Sequence, residues 1–172
     1  MNSSNQLDRK ERELEAARRI SEALFQHLSV EDVVEQGLKI ALEVVNCAAG
    51  SVMLANPETK ELVFYHAIGD RPPKPGTAFP WTQGIAGTVF ATGEPVVIRD
   101  AKEDQRHLGE IDQITGLHTQ DMIALPLKRW EGDPIGVMEL INKRDDRLNQ
   151  DDVAILTIIG AFTALSIEQA RL

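Results

Sequence analysis

Apolar residues recur in two rhythms along this chain, and each predicts a kind of element. Near the start they are sparse. Leu7, Leu14 and Leu28 fall on one seven-residue series that Ser21 interrupts, with Ala17 and Leu24 filling the seam, so a helix over about 6–27 is expected. That pattern fits a short coiled coil and an amphipathic helix lying on a domain equally. A second helix is predicted over Val30 to Val45, with Ser29 as its N-cap, Glu31 and Asp32 in the first turn where negative charge suits the helix dipole, and an end near Asn46.

The rhythm then shortens to that of strands. Residues 51–55 and 61–67 are apolar-rich and separated by Asn56-Pro57-Glu58-Thr59-Lys60, which predicts a hairpin. A second hairpin is predicted from 122–129 against 134–142, joined by Trp130-Glu131-Gly132-Asp133. Pro126 inside its first strand calls for an edge or a bulge, because proline cannot donate to a ladder. Between the hairpins, Gly84-Ile85-Ala86-Gly87-Thr88 predicts a short helix ended by Thr92-Gly93, with Pro95 leading into the strand Val96-Val97-Ile98. Leu108, Ile111, Ile114 and Leu117 recur every three residues in a polar stretch, as in a short helix that covers a pocket as a lid.

The last helix, from about 149, is apolar almost all round: Val153, Ile155, Leu156, Ile158, Ile159, Phe162, Leu165 and Ile167 are relieved only by Thr157, Gly160, Thr163 and Ser166. One side can pack on a sheet and the other needs a partner, either the first helix, a second copy of the chain, or both. Its roughly fifteen apolar-dominated residues are expected to be too few to span a bilayer. No Gly or Pro stops it before Leu172, so a continuing linker helix is expected. The organisation read from these patterns is an N-terminal helix over 1–28, a domain over 29–168 and the start of a linker over 169–172.

Composition narrows the function classes. A chain of 172 residues with 42% apolar content supports one domain with a real core. The formal charge of -9 disfavours a nucleic-acid partner or an anionic membrane, since phosphate neutralisation needs clustered Lys and Arg. Cys47 is the one cysteine, which excludes an internal disulfide and a thiol-pair redox cycle. The polar start, Met1 to Arg12, does not read as a signal peptide, and a cytoplasmic location is expected.

Taken in order, several segments resemble the GAF domain, the small sensor module of signalling proteins: Ser51-Val52-Met53-Leu54, Glu61-Leu62-Val63-Phe64, the Gly84 to Thr88 stretch, Ile123 to Lys128, and Ile135-Gly136-Val137-Met138-Glu139-Leu140-Ile141-Asn142-Lys143. The resemblance covers roughly residues 20 to 168. It implies an α/β fold with a central antiparallel sheet of five or six strands, helices on both faces and long terminal helices. It also implies a regulatory module of a bacterial sensor such as a histidine kinase, joined to an output domain that would follow the last helix and carry any catalysis. The small-molecule pocket would lie between the sheet and the lid. Its candidate lining is Phe64, His66, Phe79, Trp81, Gly84, Ile85, Ala86, Gly87, Thr88, Leu108 and Ile111, with the first amides of the Gly84 helix as donors and a cyclic nucleotide or another small molecule as ligand. A rival reading is a ligand-free dimerisation domain whose pocket is filled by its own side chains. A homodimer through the terminal helices is expected in either case.

Asn142-Lys143 followed by Leu148 and Asp152 resembles the Asn-Lys…Phe-x-x-x-Asp-Glu motif of cyclic-nucleotide-binding relatives, with Leu148 in place of the Phe and Val153 in place of the Glu. Lys143 and Asp152 then read as an ion pair that tethers the last strand to the last helix. Some relatives bind haem through a pocket histidine or bilins through a cysteine. His66 is the one histidine placed for the first, while His27, His107 and His118 are scattered and Cys47 reads as a small buried apolar residue, so neither cofactor is expected. No metal-ligand spacing, nucleophile elbow or phosphate loop occurs, and Asp100, Glu103 and Asp104 read as a solvated acidic face. No catalytic residue and no metal site are assigned.

Overall fold

The structure, a computed structural model, describes residues 3–24, 29–100 and 120–172. Six strands form one sheet: β1 (Cys47–Asn56), β2 (Glu61–Ile68), β3 (Ala78–Pro80), β4 (Val96–Ile98), β5 (Met122–Leu127) and β6 (Gly136–Lys143). Their order is β3-β2-β1-β6-β5-β4, and every neighbouring pair is antiparallel. β1 and β6 lie at the centre and are buried almost throughout, which is why they read as near-continuous apolar runs. β3 is three residues long and gave no periodic signal.

Helices α1 (Ser3–Leu24), α2 (Val30–Val45) and α4 (Gln150–Ala170) cover one face, and α3 (Gly84–Thr92) packs on the other. α2 buries Val34, Leu38, Ala41 and Val45, one stripe at helical spacing. Its ends are those the sequence predicted: the Ser29 hydroxyl accepts from the Asp32 N–H at 3.2 Å, and Asn46 closes the helix in the left-handed region. α2 crosses α4 closely because Gly37 has no side chain. A Cβ there would stand 2.7 Å from the Thr163 hydroxyl oxygen.

α4 opens with a capping box in which the Asn149 side chain accepts from the Asp152 N–H and the Asp152 carboxylate accepts from the Asn149 N–H. The helix is 21 residues long, so by length and composition it could cross a membrane, contrary to the expectation that it is too short. A core helix passes the same test, and α4 packs on α1, α2 and β5.

Pro126 occupies the edge that its chemistry required. β4 pairs with β5 only over Met122 to Ala124, so Pro126 lies beyond the covered stretch. The carbonyl of Leu127 accepts from the Ile135 N–H on the β6 side, so the alternate residue Pro126 turns its nitrogen to the open edge. In α1 the heptad positions Leu7 and Leu14 are 58% and 70% exposed, while Ala16 is buried against the domain. α1 therefore lies on the domain by a different face from its leucine series.

Candidate functional site

The sheet separates two cores, and the face opposite α1, α2 and α4 carries the candidate site. Ala49, Met53, Leu62, Phe64, Met122, Ala124, Val137 and Ile141 form that face, with Ile85, Ala86 and Val89 of α3 packed onto it. Two features of the chain set α3 in place. Gly84 has φ of 69°, a left-handed conformation that a side chain would strain. Gly87 packs against the incoming backbone, where a Cβ would meet the Thr82 carbonyl carbon at 2.6 Å.

The first helical N–H to find a carbonyl is that of Gly87, bonded to Gln83 at 3.0 Å, and Gln83 makes no side-chain cap. The amides ahead of it are the group that a helix start offers to an acceptor. Thr88 is exposed, and its hydroxyl donates back to the Gly84 carbonyl at 3.2 Å, leaving its lone pairs available.

The candidate aromatics pair with one another. Phe64 and Phe79 have ring centroids 5.8 Å apart, and Trp81 stacks at 5.3 Å on Phe90, a residue the sequence reading did not select. His66 stands apart from this group. A bulge between Val52 and Met53 shifts the register so that His66 opposes Val52, a member of the helix-side core, while Phe64 opposes Met53 on the α3 side. Leu108 and Ile111, with His27, His107, His118, Glu103 and Asp104, lie outside the described residues.

The residue that sequence reasoning missed is Glu139. Its neighbours Met138 and Leu140 belong to the helix-side core and Val137 and Ile141 to the α3-side core, so alternation sets Glu139 on the α3 side. It lies between Ser51 of β1 and Ala124 of β5, and it is 7% exposed. Burial alone pushes its carboxyl up to about 7, and its oxygens are not left both sealed and unbonded. The signal was legible: a charged residue in the middle of an apolar central strand is costly to bury.

A second polar cluster joins the end of β6 to the helices. Lys143 Nζ lies 2.8 Å from Asp152 Oδ2, with the lysine side chain 8% and the aspartate 0% exposed. Asp121, also buried, accepts from the backbone N–H groups of Lys143 and Leu148. Asn142 accepts from the Gln120 N–H at 2.7 Å. Arg12 reaches in from α1 to the other oxygen of Asp152 at 3.0 Å. Cys47 is buried, with its thiol pushed up to about 12 first by burial and then by Asp121 and Asp152, so it stays protonated and unreactive. Among the described residues no group of acidic, histidine or cysteine side chains is placed to hold a metal.

An antiparallel six-stranded sheet with long helices on one side and a short glycine-anchored helix on the other is an α/β module of one sheet. A family model for the GAF domain matches residues 27–168, and the chain belongs to that family. It is 37% identical over 95 residues to a dual 3',5'-cyclic-AMP and -GMP phosphodiesterase 11A of Takifugu rubripes, covering 54% of this chain and 10% of that protein. It is 27% identical over 164 residues to a probable 3',5'-cyclic phosphodiesterase, pde-5, of Caenorhabditis elegans, covering 89% of this chain and 22% of the relative. The GAF domain of a phosphoenolpyruvate-protein phosphotransferase from Coxiella burnetii superposes with a TM-score of 0.78 at 17% identity, over 94% of this chain and 95% of that one, a likeness of fold. GAF domains are regulatory sensor modules of multidomain signalling proteins, linked to output domains.

Proposed function

We propose that this chain is the sensing module of a larger signalling protein, itself non-catalytic and cytoplasmic, that binds a small molecule on the α3 face of the sheet and relays the event through its terminal helices. The observation that carries the reading is Glu139, a buried acceptor beside Ser51 on the face that also bears the open start of α3. A carboxylate costs several kcal/mol to bury unless something bonds it, and a ligand with N–H or O–H donors would do so. The α3 amides would take an anionic or carbonyl group of the same molecule. Cyclic nucleotides combine a donor-bearing base with an anionic phosphate, and the phosphodiesterase relatives are named for acting on them. They are therefore the first ligands to try.

Relay would run through a homodimer formed by α1 and α4. Val153, Ile158, Ala161, Phe162 and Leu165 are only partly buried along α4, and Leu7 and Leu14 face outward from α1. A thermal-shift panel of cyclic nucleotides, purine nucleotides, amino acids and small carboxylates tests the sensing reading. A ligand at a hundredfold excess over its dissociation constant should add about 2.7 kcal/mol. A ligand-free dimerisation domain is the second reading, favoured by the way Phe64 with Phe79, and Trp81 with Phe90, fill space by stacking on each other. A panel in which nothing raises the melting temperature would favour it.

A further inference from the structure

α1 is attached to the rest of the molecule in an unusual way. Among its described side chains only Ala16 is fully buried, and three ion pairs cross from the helix to the domain. All three cations lie on α1 and all three carboxylates on the domain: Arg9 with Asp151 at 3.4 Å, Arg12 with Asp152 at 3.0 Å, and Arg19 with Glu43 at 2.7 Å. Between α1 and α2 an open groove of about 630 Å³ runs past Glu11, Arg12, Glu15, Arg19 and Glu43.

The three pairs are unequal. Arg9 and Asp151 are 42% and 45% exposed, and Glu43 is 50% exposed, so water and salt screen both outer pairs. Asp152 is 0% exposed, and Arg12 spends a second hydrogen bond of the same nitrogen on the Val44 carbonyl at 3.1 Å, near the end of α2. The guanidinium thus bridges an orphan carbonyl of one helix and the buried N-terminal carboxylate of another. That same carboxylate holds Lys143 Nζ at the end of β6 and the Asn149 N–H at the start of α4.

We propose that α1 is a separable strap latched at one point, Arg12, and that it leaves the domain as a unit while the sheet, α2 and α4 stay folded. The latch shares Asp152 with the end of β6, the strand that carries Glu139. A shift at that strand end therefore changes the grip on α1 directly, without a path through the core. The strap does not depend on any ligand, and its test is separate from the sensing reading.

Hydrogen–deuterium exchange of the whole chain, read peptide by peptide at low salt and at half-molar salt, tests the latch. Arg12→Gln should raise exchange across residues 9–19 by at least about tenfold and leave α2, β1 and β6 within about twofold of the unsubstituted chain. Arg9→Gln, which removes a screened pair, should change the same peptides by less than about threefold. High salt should accelerate α1 further in Arg12→Gln and little in the unsubstituted chain. Three results would each overturn the proposal: α1 exchange unchanged in Arg12→Gln, an equal acceleration in α2 and β6 (or failure of the variant to fold), or an effect of Arg9→Gln as large as that of Arg12→Gln.

Discussion

Glu139 lies directly opposite Ser51 in the antiparallel pairing of β6 with β1, a buried carboxyl beside a buried hydroxyl on the face that carries α3. The pair stands in the two central strands, where a charge is most costly. Burial holds the Glu139 carboxyl up at about 7 against an ordinary 4.5, so between those values the folded chain keeps a proton that the unfolded chain has lost. Stability of the ligand-free protein should therefore fall as pH rises from about 4.5 to 7, by roughly 3 kcal/mol in total. Glu139→Gln should remove that slope and be the more stable chain at pH 8, with little difference at pH 4.5. Urea unfolding of both chains across this range gives the answer, and parallel curves would rule out the assignment.

Lys143 and Asp152 predict a second asymmetry. Lys143→Met leaves Asp152 with Arg12 and its capping bond, so the loss should sit near the lower end of the 3–5 kcal/mol expected when a buried pair is broken. Asp152→Asn strands two cations and weakens the α4 cap, and it should cost more than Lys143→Met. Denaturation midpoints in the reverse order would show that the lysine, not the aspartate, organises the cluster.

Gly87 is a packing requirement of α3. Gly87→Ala places a methyl 2.6 Å from the Thr82 backbone, which cannot give as a flexible side chain would, and should cost about 1–3 kcal/mol. Gly132→Ala, whose added carbon would meet nothing nearer than 3.5 Å, serves as the control and should be close to neutral. Equal melting temperatures would mean that the Trp81-Thr82 backbone can move away.

Homodimerisation through the terminal helices predicts twice the chain mass in light scattering coupled to chromatography. Phe162→Arg or Leu14→Glu should lower it toward the monomer without unfolding the domain, since neither side chain is fully buried. A monomer at tens of micromolar in the unsubstituted chain would remove the dimer from the account.

Local chemistry made much of this architecture readable. Ser29 and Asn46 bound α2 at the residues predicted, and Gly84 and Gly93 bound α3, because caps and left-handed positions are decided by one or two residues. Pro126 announced an edge or a bulge because a missing N–H is tolerated at such places, and it lies at the edge. Non-local facts were hidden. β3 is too short to show a period, and the bulge at Val52 and Met53, which turns His66 away from Phe64, depends on how two strands pair. Arg12 meets Asp152 across 140 residues, a distance over which spacing carries no information. Glu139 was readable in principle, as the one charge inside an apolar central strand, but its face becomes clear only once β1 and β5 are set on either side.

The claim that the α3 face senses a small molecule is tested most directly by titrating the isotope-labelled chain with cyclic GMP and cyclic AMP and following its backbone amides by NMR. The account predicts saturable shifts centred on the amides of Gly84 to Thr88 and on the strands around Ser51 and Glu139, lost in Glu139→Ala while the rest of the spectrum is preserved. Saturable shifts confined to α1, α2 and α4, or shifts that Glu139→Ala leaves unchanged, would contradict it.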